Sequence, residues 1–350
     1  MEALWSEKYR PDSFETLDFH EEISMQFQNL IQQGDMPHLV LYGPDGAGKR
    51  TRVNCLLSKL YGKAATKPVK DVFTFKNNST TIEIPIRTSK FHIELTPSDA
   101  DHNDRLVLMK LIKDSASNSA LIGGSKNNFM TFVLYEAENL THGAQAALRR
   151  TMEKYSSKIR IILVCQFIGK LIPALKSRCL LLRVPAPTND KIVELLEGIC
   201  NREKLGYEAN KELKKISDAS QRNLRKAILL LQTVATTRSL GDDVLQDYWK
   251  IAVKRKLFDP VSKEQSVEVV KGCRNAFFEL LVNQIPASEI IKEMLVLFLE
   301  NTKNEAQQSS MKEVAAFCEK SLKQGDREII YLEAFLVKIM IILRTGKYPQ

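Results

Sequence analysis

The chain has 350 residues, 44% of them apolar and 27% charged, which is ordinary for a soluble globular protein and long enough for two or three domains. Six cysteines lie far apart with no C-x-x-C pair and no histidine at ligand spacing, which argues against a zinc site and a disulfide framework. The formal charge of +9 is concentrated: residues 149 to 183 hold nine Lys/Arg against one acid, Glu153. Charge alone makes this strip a solvated basic face, and a polyanion such as nucleic acid is the sharper alternative.

In chain order, Met1-Glu-Ala-Leu-Trp5 lacks the basic start and apolar run of a signal peptide. His38-Leu-Val-Leu-Tyr42 is a short apolar run that predicts a buried strand. The loop Gly43-Pro-Asp-Gly-Ala-Gly48 follows, and then a segment with helical spacing from Lys49. Further strands are expected at 91 to 95, 129 to 135, 159 to 165 and 179 to 184, with helices between them at 103 to 116 and 141 to 155. That alternation predicts an α/β domain built on a mainly parallel sheet. Pro185-Ala-Pro187 marks its end.

Beyond that point nearly everything reads as helix. Residues 188 to 204, 210 to 219 and 222 to 235 make a small helical domain. After a Gly241-Asp-Asp turn, helices are expected at 245 to 258, 263 to 282, 286 to 300, 309 to 323 and 326 to 343. Ile290, Ile291, Met294, Leu295, Leu297 and Phe298 form a broad apolar face, as in a bundle core or a face that pairs with other subunits. The apolar run 329 to 343 is shorter than the roughly 20 residues of a membrane span and contains Glu333 and Lys338. The predicted domains are therefore 1–184, 185–240 and 241–350, in a reducing compartment and without a membrane partner.

Gly43 to Lys49 fits G-x-x-x-x-G-K, the loop that cradles nucleotide phosphates. Its glycines let backbone N–H groups approach phosphate oxygens, the helix N-terminus adds a favourable dipole, and Lys49 supplies a positive charge. Gly43, Pro44, Asp45, Gly46, Ala47, Gly48, Lys49, Arg50 and Thr51 are thus candidate nucleotide contacts. The motif breaks at the next position, where Arg50 replaces the Ser or Thr that binds Mg²⁺. Thr51 is one residue later, turned by about 100° along the helix, and cannot simply take over. The strand 129 to 135 ends in Tyr135 where an Asp would hold the metal. Glu136 occupies the water-activating position, with Glu138 two residues on.

The chain resembles the small subunits of replication factor C, the eukaryotic clamp loader within the AAA+ ATPases. The likeness rests on Trp5-Ser-Glu-Lys-Tyr-Arg-Pro11, Pro37-His-Leu-Val-Leu-Tyr-Gly-Pro44, Ala147-Leu-Arg-Arg-Thr-Met-Glu-Lys-Tyr155, Ser177-Arg-Cys179, Pro185-Ala-Pro187 and Asn223-Leu-Arg-Lys226. Glu94-Leu-Thr-Pro-Ser-Asp99, Gly-Lys-Arg-Thr in the loop and Tyr331 to Lys338 are most similar to the branch at the end of the ring, subunit three of animals and five of budding yeast. That branch has a degenerate nucleotide site.

The resemblance implies an AAA+ domain, a helical lid and a helical collar, binding ATP or ADP, with Mg²⁺ left open and no metal ligand assigned. It places Ser6, Tyr9, Arg10 and Pro11 at the nucleotide, the last three against base and ribose. It makes Arg225 the lid arginine that contacts phosphate, and puts Gln166 where relatives have a water-orienting Asn. Arg178 would be an arginine finger extended into a neighbour's site, and Glu136 a residual catalytic position. Arg149 and Arg150 would face DNA or the adjoining nucleotide. Asp101-His102 departs from an Arg-Gly found before a DNA-facing helix, with Arg105 as substitute. Implied partners are four other replication factor C subunits, the PCNA sliding clamp and primer–template DNA, in the nucleus. The alternatives are an autonomous P-loop ATPase, or a shared scaffold subunit of checkpoint or cohesion clamp loaders.

Overall fold

The structure is a computed structural model that describes residues 4–17, 19–32, 36–62, 68–77, 80–97, 103–118, 129–206, 209–238, 247–322, 324–325 and 327–346. It divides into two compact units, Met1–Arg238 and Ser239–Gln350. Asp101-His102 and the Gly241-Asp-Asp segment lie outside the described residues.

In the first unit, β1 (Leu39–Tyr42), β2 (Val69–Asn77), β3 (Thr80–Thr88), β4 (His92–Leu95), β5 (Met130–Leu134), β6 (Ile159–Cys165) and β7 (Leu180–Arg183) form one sheet in the order β2-β3-β4-β5-β6-β1-β7. The five strands β4, β5, β6, β1 and β7 run parallel, and the apolar residues of β1, β5 and β6 alternate between two cores. Val40, Phe132, Leu134, Ile161 and Leu163 face the helices Asp104–Asn118 and His142–Lys154. Leu39, Leu41, Val133, Ile162 and Val164 face the helices Glu21–Gln32 and Lys49–Tyr61. Side chains of a strand alternate with period two, so a run apolar at every position is what a sheet covered on both faces requires. The expected strands of this sheet and the helices at 103 to 116 and 141 to 155 are found within two residues of their predicted bounds, while the helix expected at 210 to 219 begins as a wider turn, Ala209–Leu213, and the one expected at 309 to 323 starts at Glu305.

The hairpin β2–β3 was not expected. It pairs antiparallel with itself, Val69 opposite Thr88, and joins the sheet through Ile86 opposite Leu95. Its signal is the alternation Ile82, Ile84, Ile86, obscured by Pro85 inside the run and by Lys70, Asp71 and Lys76 in the partner strand. Ile84 and Ile86 are buried in the sheet's core.

Three helices complete this unit, Asn189–Glu203, Lys214–Ala219 and Leu224–Thr237. Thr188 and Asn223 cap two of them, accepting from the N–H groups of Lys191 (3.4 Å) and Lys226 (3.1 Å). Ile192, Leu196, Leu231 and Val234 are fully buried. The N-terminal turn Trp5–Lys8 docks here, with the Trp5 N–H donating to Gln232 Oε1 at 2.9 Å.

The second unit is wholly helical among its described residues. Tyr248–Val253 runs through a wider turn, Lys254–Phe258, into Asp259–Lys263. Val267–Val282, Ala287–Asn301, Glu305–Leu322 and Glu328–Thr345 follow. The helix expected from residue 263 instead starts at 267, because Ser266 caps it by accepting the Val269 N–H at 3.4 Å. Ile290, Ile291, Met294 and Phe298 are buried with Phe277 and Phe335, while Leu295 and Leu297 are partly buried. No described helix is long and apolar enough to cross a membrane.

Candidate nucleotide site

In an open sheet of parallel strands, the carboxyl ends of the strands collect ligands where neighbouring connections diverge. Here β1 lies between β6 and β7, and its carboxyl end leads directly into Gly43. A cleft of about 1900 Å³ opens at this edge, entirely within the first unit. That is about twice the upper end of an ordinary small-ligand pocket, since the hairpin β2–β3 borders one side.

Two glycines allow the loop to take this shape. A Cβ at Gly43 would stand 2.0 Å from the Val184 carbonyl oxygen, and one at Gly46, where φ is +71°, 1.9 Å from Asn223 Oδ1. The same Asn223 caps the helix that carries Arg225, so the loop and that helix share one polar group. Behind the loop, the helix Lys49–Tyr61 starts without a side-chain cap, leaving its first N–H groups available to an anion.

Lys49 Nζ donates to the carbonyls of Gly43 (2.6 Å) and Pro44 (3.0 Å) and lies 3.9 Å from Asp45 Oδ1. Burial lowers its pKa, and Arg225 adds to that, against the opposing charges of Asp45 and Glu138. Asp45 Oδ2 in turn accepts from Gln166 Nε2 at 2.5 Å, and the Gln166 N–H donates to Glu138 Oε1 at 3.0 Å. Glu136 is exposed, in a left-handed conformation (φ +52°), and accepts from Asn139 Nδ2 at 3.3 Å.

Arg50 lies with its guanidinium 4.7 Å from the Tyr135 ring centroid and 3.7 Å from Glu94 Oε2. Glu94 is nearly buried on β4, and its other oxygen is 3.5 Å from Nε2 of the fully buried His92. Burial first, then the Glu94 charge, raises the Tyr135 pKa.

The cleft brings together Ser6, Tyr9, Arg10, Pro11, Asp45 to Thr51, Glu136, Gln166 and Arg225. Gly43 and Pro44 lie behind its lining, where they hold Lys49. Tyr9 is fixed by the helix Asn189–Glu203: its hydroxyl donates to Glu203 and Arg202 sits 5.7 Å from its ring. Arg10 is paired with Glu7. Burial is the largest influence raising the Tyr9 pKa, followed by the Glu203 hydrogen bond.

The remaining candidates lie elsewhere on the unit. Arg178, between Pro173–Lys176 and β7, bonds Glu153 Oε1 through Nε (2.7 Å) and Nη2 (2.6 Å) and the Ala174 carbonyl through Nη1 (2.8 Å). Arg149 is partly buried and Arg150 exposed, on the helix that also carries Glu153. Arg105 is exposed at the start of Asp104–Asn118, its stem 3.8 Å from where a Cβ would stand on Gly143.

Sequence reasoning missed three residues here. Glu94 was legible as the one acid in the apolar run 91 to 95. Phe19 borders the cleft, and its carbonyl accepts from Nη2 of the fully buried Arg52 at 2.7 Å. Burial lowers the Arg52 pKa to about 10. Nothing local in Lys49-Arg50-Thr51-Arg52 marks which arginine turns inward.

With this geometry in place, known proteins can be set beside it. Residues 249–347 match the family model described as the C-terminal domain of replication factor C subunit 3, and 194–236 an RCF1/5-like AAA+ ATPase lid domain. Residues 19–188 match a DNA polymerase III delta subunit model. Replication factor C subunit 5 of Saccharomyces cerevisiae is 37% identical, the match covering 97% of this chain and 99% of that one. The chain belongs to the replication factor C subunit 3/5 family. Replication factor C subunit 3 of Homo sapiens is 36% identical over 98% of this chain and 96% of its own length, and that of Arabidopsis thaliana 37% over 98% of each. Among solved structures, a Thermotoga maritima RuvB chain superimposes with a TM-score of 0.47 at 15% identity, covering 70% of this chain and 78% of that one, too loosely to add to the assignment. As a replication factor C chain, it carries its phosphate loop on an AAA+ sheet, with the lid match spanning Arg225.

Proposed function

We propose that this chain is the terminal small subunit of a heteropentameric clamp loader, working in the nucleus with four other replication factor C subunits. The assembly opens the PCNA ring and places it on primer–template DNA in replication and repair. Residues 1–184 form its AAA+ domain, 185–240 its lid and 241–350 its collar. The chain holds ATP or ADP in the cleft of the first unit and does not hydrolyse it. The observation that carries this reading is the loop itself: a glycine cradle and Lys49 remain, while Arg50 and Tyr135 stand where a hydrolysing site has a hydroxyl and a carboxylate.

The chain's catalytic contribution is made next door. Arg178 lies outside its own cleft, with its side chain 35% exposed, and its guanidinium is held in a fixed direction by Glu153 and Ala174. Such a finger is worth roughly 10³ to 10⁵ in rate at the site it enters. DNA is held through backbone phosphates, with Arg105, Arg149 and Arg150 as contacts, so binding weakens steeply with salt. In the reconstituted pentamer, Arg178→Ala should cut DNA- and clamp-stimulated ATPase activity strongly, while Glu136→Gln leaves it within about twofold. The reverse pattern, or turnover by the purified chain alone, would favour an autonomous ATPase.

A further inference from the structure

Mg²⁺ usually accompanies a phosphate loop, and the residues here do not fit it. Magnesium asks for near-octahedral oxygen ligands, with one or two carboxylates beside the phosphates. The position after Lys49 carries Arg50, and β5 leads into Tyr135. Glu138 Oε1 is taken by the Gln166 N–H, and Glu136 accepts from Asn139. Among the described residues no group of three His, Cys, Asp or Glu side chains could hold a metal ion.

What the site has instead is a fixed organic cation. Arg50 leaves the first turn of the phosphate-loop helix, and its guanidinium stacks over Tyr135 at 4.7 Å and pairs with Glu94 at 3.7 Å. Glu94 is anchored on a central strand beside His92, so the carboxylate that steers Arg50 is itself held in place. Tyr135 serves as an aromatic platform rather than a missing ligand. All three border the cleft. Arg50 keeps 36% of its side chain exposed, and a guanidinium has five N–H donors in a planar fork suited to phosphate oxygens. A cation already there repels a second one, and the nearest strand carboxylate is committed to it.

We propose that the cleft binds its nucleoside di- or triphosphate without a divalent metal, the Arg50 guanidinium neutralising phosphate charge in the metal's stead. The substitution that removes hydrolysis thereby preserves binding. This rests on the nucleotide-binding reading above.

The test is equilibrium binding of a fluorescent ADP to the purified full chain, with excess EDTA and with millimolar Mg²⁺. The expected result is the same Kd within about twofold in both, whereas a loss of about tenfold or more in EDTA would overturn the proposal. Arg50→Ser should weaken binding in EDTA by about tenfold or more, with Arg50→Lys recovering part of it. Unchanged EDTA affinity in a folded Arg50→Ser chain would also overturn it. Arg50→Ser with Tyr135→Asp should bind more tightly with Mg²⁺ than without. Binding in neither buffer would overturn the nucleotide reading and this inference together; binding only with Mg²⁺ would overturn this inference alone.

Discussion

The two units solve different problems, one around a sheet and one with helices alone. Every buried polar or charged side chain among the described residues, including Arg52, His92, Glu94 and Asp104, lies in the first unit. The second unit's core, from Val253 to Ile342, is apolar throughout. Burying a polar group costs free energy unless it is bonded, so a fold keeps one where position matters more than stability. Asp104 shows the structural use: its carboxylate accepts from Thr141 N–H (2.8 Å) and Oγ1 (3.0 Å), tying the starts of two helices together. Glu94 shows another use, holding the Arg50 guanidinium at the edge of the cleft. The first unit is thus built to place charges, and the second to pack.

The largest effect that would sharpen this contrast is the loss of Arg178. In the assembled complex Arg178→Ala should cost about 10³-fold or more at the neighbouring site, about 4 kcal/mol of barrier, without changing the nucleotide affinity of this chain. Equal losses of both would break the separation between its own cleft and its outgoing arginine. Next is Phe335→Ala in the second unit, where a fully buried ring leaves a cavity. About 3–5 kcal/mol of stability should go, read as a lowered denaturation midpoint, with nucleotide affinity retained. A parallel loss of affinity would show that packing and charge placement are not divided as described.

A smaller effect comes from His38, at the start of β1. Its Nδ1 accepts the Ile161 N–H at 3.1 Å, so its neutral form is built into the sheet. Burial, helped by the Arg160 charge, lowers its pKa to about 4 from 6.5, against a Met152 backbone hydrogen bond that raises it. The unfolded chain therefore takes up this proton first as pH falls. Stability is full above about pH 6.5 and is lost down to about pH 4, by about 3 kcal/mol. His38→Asn, which keeps an acceptor but cannot titrate, should flatten that part of the melting-temperature profile relative to the natural chain. An identical profile would remove His38 as the cause.

How far this was readable in advance follows the same division. The parallel strands were legible because most are short, mainly apolar runs between turn signals, and the second unit's helices because Ile290, Ile291, Met294 and Phe298 repeat at helical spacing. The hairpin β2–β3 escaped because Pro85 and scattered charges blur a period-two pattern. The phosphate loop is a local motif and could be read directly. Glu94 stood out as an acid in an apolar run, but its pairing with Arg50, like that of Phe19 with Arg52, could not be read, since the fold brings these residues together from distant stretches of chain. Arg50 itself read as the loss of a ligand, and only its partners give it a positive role.

The most direct test of the central claim is to incubate the purified full chain with radiolabelled ATP, isolate the complex and identify the bound nucleotide. Holding without hydrolysis predicts one nucleotide per chain, recovered as ATP. Recovery as ADP with released phosphate, or a chain that retains no nucleotide, would contradict it.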